Sequence, residues 1–81
     1  MSDEITVYGA DWCGDTIRTK RFLDGKNVKY NYIDIDQDKA GEEKVIAANA
    51  GKRRIPMVEI GSEIQLKVPS DAELGSKLPA A

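Results

Sequence analysis

The apolar run Ile5-Thr6-Val7-Tyr8 gives way within a few residues to a helix-like segment, and the only cysteine of the chain, Cys13, stands at the changeover. Ile5, Val7 and Tyr8 read as a short strand, Gly9 to Trp12 as a loop and Thr16 to Leu23 as a helix. Cys13 therefore falls at the N-terminal edge of the helix. Unpaired backbone N–H groups and the positive end of the macrodipole favour negative charge there by about 0.3 to 1 kcal/mol for an exposed group. Reactive cysteines occupy such positions because the thiolate is the nucleophile.

The remaining pattern alternates in the same way. On the first helix Thr16, Thr19 and Leu23 share a stripe with Phe22 beside it, Arg18, Lys20, Arg21 and Lys26 face water, and Gly25 is the stop. Lys29 to Asp36 carries a β signal, so that strand, helix and strand imply a right-handed parallel crossover. Asp36, Gln37 and Asp38 form a turn and offer N-caps for a second helix over Glu42 to Ala50, with Val45, Ile46 and Ala48 or Asn49 inward and Gly51 at its end. Met57, Val58 and Ile60 form a third strand. Gly61-Ser62 fits a two-residue hairpin into a fourth strand with Ile64, Leu66 and Val68, antiparallel to the third. Ser70-Asp71-Ala72-Glu73 is a capping box opening a last helix, with Ala72, Leu74 and Leu78 available for packing and Pro79 as the stop. Met1 to Glu4 read as frayed. The order is βαβαββα, an α/β chain with a mixed four-stranded sheet.

Composition narrows the function. With 81 residues the chain is expected to be one domain, residues 1–81, burying about 60 to 65% of its unfolded surface in a single modest core. Hydrophobic residues make up 41% and charged residues 32%, ordinary for a soluble globular protein. No stretch resembles a membrane span or signal peptide, and a lone cysteine fits a reducing compartment, so a cytoplasmic protein is expected. A net charge of −2 argues against nucleic-acid or membrane binding through bulk charge. The absence of histidine removes Cys-His catalytic pairs and the usual ligands of a zinc site built by one protomer.

Strand, Trp12-Cys13-Gly14-Asp15-Thr16, helix resembles the way glutaredoxins and thioredoxins present their nucleophile, and the chain is identified as a member of the glutaredoxin family. The resemblance implies a thioredoxin-like fold with strand order second, first, third, fourth and three helices over both faces. Thr16 stands where dithiol members carry a second cysteine, so no resolving thiol is present. By position, Thr16 lies one helical turn from Cys13, where its hydroxyl could meet a thiolate. Asp11 and Asp15 act against ionisation of the thiol, and Asp15 also suits the helix terminus.

The resemblance further implies a binding surface. Trp12 flanks the thiol and contacts partners. Ile55-Pro56 matches the end of the family's Thr-Val-Pro tripeptide, whose proline is cis, although X-Pro bonds are mostly trans. Ile55 would pair its backbone with a bound thiol. Arg54 replaces the usual Thr or Ser and brings a cation toward the site. Ser70-Asp71 matches part of the Gly-Gly-x-Ser/Thr-Asp stretch that holds the γ-glutamyl end of glutathione, its amine on the Asp; Lys67-Val68 replace the glycine pair. Asn49 to Pro56 and Val68-Pro69-Ser70 are similar to stretches of mycoredoxins, actinobacterial glutaredoxin-like proteins that work with mycothiol.

The function expected is monothiol exchange on mixed disulfides between proteins and a small thiol, glutathione or mycothiol, without a tightly bound cofactor or metal and as a monomer. Cys13 is the expected nucleophile and Thr16 its partner. Ile55 and Pro56 form the platform, with Trp12, Arg53, Arg54, Ser70 and Asp71 as candidate contacts. One alternative is an iron-sulfur cluster shared by two protomers, as in monothiol glutaredoxins reading Cys-Gly-Phe-Ser. Another is a catalytically degenerate binding module on the same fold.

Overall fold

A computed structural model describes residues 4–61 and 64–78. Seven elements follow one another: β1 (Ile5–Gly9), α1 (Gly14–Gly25), β2 (Asn31–Asp34), α2 (Lys39–Ala48), β3 (Met57–Ile60), β4 (Ile64–Lys67) and α3 (Asp71–Lys77). The strands lie in the order β2-β1-β3-β4, as the resemblance implied. β1 runs parallel to β2, with Val7 opposite Tyr32, and antiparallel to β3, with Val7 opposite Val58. β4 returns antiparallel along β3, Leu66 opposite Val58.

Alternation along the strands divides the apolar side chains between two faces. Ile5, Val7, Val58, Ile60 and Leu66 meet Leu23 of α1 and Leu74 of α3 on one side, with Phe22, Val28, Tyr30, Tyr32 and Leu78 at the margin. Tyr8, Ile35, Met57 and Val45 of α2 form the smaller cluster on the other side, joined by Ile33, Ala48 and Ile55. Three layers result, helix, sheet, helix, and no helix of the described residues is long and apolar enough to cross a membrane.

Several boundaries differ from the sequence reading. α1 does end at Gly25, but the left-handed residue that turns the chain is Asn27 (φ 56°). Val28 N–H donates to Leu23 C=O at 3.1 Å and Asn27 N–H to Asp24 C=O at 3.1 Å, so the terminal carbonyls are satisfied two residues further on. α2 starts earlier than expected because Asp38 accepts from Gly41 N–H at 2.9 Å and caps it. It also ends earlier, and both Ala50 (φ 55°) and Gly51 (φ 89°) take the left-handed turn.

β2 is shorter than the alternating stretch that announced it. Val68 lies outside β4 with φ 46°, its N–H donating to Pro56 C=O at 2.8 Å. Ala72 is exposed, because α3 turns only Leu74 fully inward. Ser62 of the hairpin, Pro79 and Met1 to Asp3 lie outside the described residues; the hairpin glycine, Gly61, has φ 62°.

Two details of packing concern α1. The Thr19 side chain is wholly buried and its hydroxyl has no hydrogen-bond partner among the described residues. At Gly9, an added Cβ would stand 2.5 Å from both Cγ2 and Oγ1 of Thr16, so the absent side chain is what allows the first turn of α1 to press on β1. Thr19→Val should therefore raise stability by about 1 kcal/mol in urea denaturation, since an isosteric methyl replaces an unsatisfied hydroxyl. Gly9→Ala should lower it by roughly 1 to 3 kcal/mol through overpacking against Thr16.

Candidate functional site

Cys13 immediately precedes α1, its backbone extended at φ −83° and ψ 118°. Its N–H donates to Ala10 C=O at 3.0 Å, closing the loop, and its C=O accepts from Ile17 N–H at 3.0 Å, opening the helix. The free thiol is half-buried. It makes no capping hydrogen bond, so the first-turn N–H groups are not taken up by the Cys13 side chain. Asp15 lies in that first turn, 3.7 Å from Arg18 Nε.

Thr16, fully buried, accepts a hydrogen bond from Ala10 N–H at 3.4 Å. Hydrogen bonds among the described residues include none between Thr16 and Cys13. The contact observed fastens the loop to the helix behind the thiol.

The loop is held from both sides. Tyr32 of β2 donates its hydroxyl to Asp11 Oδ1 at 2.7 Å, while the Lys20 ammonium lies 3.8 Å from the centre of the Tyr32 ring. Burial, followed by the hydrogen bond and charge of Asp11, pushes the Tyr32 hydroxyl above the ordinary tyrosine range. Trp12 is 68% exposed, yet its indole Nε1–H donates to Asp36 Oδ2 at 2.7 Å. The other Asp36 oxygen accepts from Arg53 Nη2, and Arg53 Nε donates to Glu42 Oε2 of α2 at 2.7 Å. The Trp12 and Arg53 hydrogen bonds hold the Asp36 carboxyl below the usual carboxylate range.

The Ile55–Pro56 bond is cis, as the resemblance implied and against the general preference for trans. Met57 begins β3 opposite Tyr8, so Pro56 and Ile55 fall beside the end of β1 that leads to Cys13. Ile55 is half-buried, and neither its N–H nor its C=O has a backbone partner among the described residues. Arg54 is exposed and in no ion pair among the described residues, whereas Arg53 is engaged by two carboxylates.

Ser70 accepts from Glu73 N–H at 3.1 Å and caps α3 as expected. Asp71 is occupied by a residue that the sequence assigned to solvent: Arg18 Nη1 donates to Asp71 Oδ1 at 2.6 Å and Arg18 Nη2 to Pro69 C=O at 3.0 Å. Arg18 thus bridges α1 to the turn before α3. Sequence reasoning likewise gave Tyr32, Asp36 and Glu42 no place near the thiol. Their partners lie 21, 24 and 11 residues away, and only the strand order brings them together. Among the described residues no group of three or more cysteine and carboxylate side chains is placed to hold a metal ion.

Comparison with known proteins finds relatives by sequence and by fold. The glutaredoxin family model matches residues 5–65. A Mycobacterium tuberculosis H37Rv protein named as a glutaredoxin is 34% identical over 74 residues, 91% of this chain and 88% of the relative. Mycoredoxin 1 of Corynebacterium glutamicum is 34% identical over 76 residues, 94% of each chain. The crystal structure of a glutaredoxin from Archaeoglobus fulgidus superposes with a TM-score of 0.78 at 26% identity, covering 91% of this chain and 84% of that one. The Escherichia coli glutaredoxin-like protein NrdH-redoxin superposes at 0.80 with 23% identity, over 96% and 99%, a likeness of fold. The fold is thioredoxin-like, and the chain belongs to the glutaredoxin family, whose general chemistry is thiol–disulfide oxidoreduction.

Proposed function

We propose that the protein, acting as a single monomeric domain, reduces mixed disulfides between proteins and a small thiol through Cys13 alone. The observation that carries this reading is the half-buried, unpaired thiol of Cys13 at the start of α1, with threonine, not cysteine, one turn on. The Cys13 thiolate attacks the small-thiol sulfur of the mixed disulfide, and the protein sulfur leaves as thiolate and takes up a proton. A second small thiol, as thiolate, attacks the sulfur bound to Cys13; the products are the small-thiol disulfide and free Cys13 thiolate. One free small thiol is consumed for each protein thiol released: the protein sulfur is reduced, the incoming small-thiol sulfur is oxidised into the new disulfide, and no resolving cysteine takes part.

In this reading Trp12 borders the reacting sulfur and the free backbone groups of Ile55, set by Pro56, pair with the bound thiol in the manner of an added strand. Thr16 supports the loop from behind. Arg54 offers the exposed cation next to the platform, while Arg53 is a positioning residue spent on Asp36 and Glu42.

Mycothiol is the small thiol we favour. Glutathione would present an ammonium to Asp71, and Arg18 already holds that carboxylate and the neighbouring Pro69 carbonyl. Displacing Arg18 would break a charge-assisted contact in exchange for a similar one. The likeness to a protein named mycoredoxin supports the same choice. Ser70, already the cap of α3, and Asp71 then serve as the wall of the small-thiol site.

Two measurements test this. Intact mass after mixing the reduced protein with mycothiol disulfide or glutathione disulfide should show one small thiol added at Cys13, faster for mycothiol; equal or faster addition of glutathione would remove the preference. Cys13→Ser should reduce turnover of a mixed-disulfide substrate to the uncatalysed level, because the serine hydroxyl is not ionised at neutral pH, and activity retained in that variant would end the assignment.

A further inference from the structure

Trp12 poses a physical question that Cys13 exchange alone does not answer. It is the only tryptophan, it is 68% exposed beside the thiol, and it is nevertheless tied down by a bond of 2.7 Å to Asp36. An exposed indole would otherwise sample several rotamers. Asp36 does not act alone, since its second oxygen is gripped by Arg53, which is itself fixed to Glu42 on α2. The backbone reinforces the arrangement: Asp36 N–H donates to Asp34 Oδ1 at 2.9 Å at the end of β2. Ile17, one helical turn beyond Cys13, is 40% exposed. Along the chain the thiol is thus flanked by two exposed apolar residues, one of them fixed in place by a polar relay.

We infer that Arg53, acting through Asp36, positions Trp12 as a rigid docking ledge for protein substrates, and so governs exchange with protein disulfides more than exchange with small ones. Tryptophan is enriched among the residues that dominate protein interfaces, and an aromatic side chain already held in one rotamer loses little entropy on docking. A small disulfide, needing only the sulfur and its immediate surroundings, gains much less from the ledge. The inference rests on Cys13 being the exchanging thiol, as proposed above.

The groups facing the Asp36 carboxylate are the Trp12 indole and the Arg53 guanidinium, with Asp34 on its own turn, the Tyr32 hydroxyl of β2 within range of its charge and Glu42 beyond Arg53. Protonating Asp36 would remove its charge from the relay. In the unmodified protein this occurs only below the usual carboxylate range, because both donors hold the carboxyl low.

The test uses Arg53→Ala, Asp36→Ala and the double variant in the full chain. Circular dichroism and urea denaturation check that each folds. Exchange is followed with serum albumin carrying mycothiol on its free thiol and, separately, with mycothiol disulfide. Each single variant should slow the albumin reaction about threefold to tenfold while leaving the mycothiol disulfide rate within about twofold, and the double variant should be no slower than the worse single one, as expected for residues acting through one contact. Trp12 emission should shift and its anisotropy fall in all three. In an acid titration of Arg53→Ala, the emission transition should move up toward the ordinary carboxylate range.

Unchanged emission and anisotropy in both single variants would overturn the relay. A moved indole with albumin exchange unaffected, or with both substrates slowed equally, would overturn its role in docking. An unmodified protein inert to both substrates would instead end the exchange reading itself, and with it the role inferred for the ledge.

Discussion

The packing of Thr16 on Gly9 is the contact on which the geometry around the thiol depends. A helix can begin within four residues of a buried strand only if its first turn descends close to the strand's last carbonyl and amide groups. Gly9 removes the side chain that would stand in the way, and Thr16 fills the space while accepting the Ala10 N–H. That one hydroxyl satisfies a buried amide that would otherwise go unpaired where β1 ends. With the helix start fixed, Cys13 has a single place to be: above the sheet, at the end of β1 that also faces the Ile55–Pro56 turn.

Around that point three arginines that look interchangeable in sequence have different duties. Arg18 fastens α1 to the turn before α3, Arg53 fastens the β2–α2 turn to α2, and Arg54 is left outward. The difference is geometric: a planar guanidinium meeting two acceptors at once is pre-organised for bridging, and Arg18 and Arg53 each find two. Their value lies in orientation more than in energy, for pairs this exposed contribute little to global stability.

Much of this was legible in the sequence. Alternation in Ile5 to Tyr8 and Met57 to Ile60, the Ser70 cap and the abrupt passage from strand to helix at Cys13 each follow from local rules, which suffice for element order. The cis bond at Pro56 and the strand order came from resemblance alone. What stayed hidden was long range. Arg18 on an exposed stripe carries no sign that Asp71, 53 positions away, will sit above it. Asp36, Gln37 and Asp38 were all offered as caps, and the cap is Asp38, which leaves Asp36 for Trp12. Local composition cannot choose among three neighbouring acceptors; only the tertiary fold does.

The unequal division of the core between the two faces has a further consequence. α1 and α3 share a cluster of seven buried residues with the sheet, whereas α2 is held by Val45 and a smaller patch around Tyr8, Ile35 and Met57. Local opening costs least where the fewest apolar contacts must be broken, so amide protons of α2 are expected to exchange with solvent through partial unfolding before those of α1. Glu42 rides on α2 and anchors Arg53, and each such opening also slackens the grip on Asp36. The thiol itself, mounted on the more firmly seated helix, keeps its place meanwhile. The fold thereby separates a durable seat for the reacting sulfur from a neighbouring region free to breathe.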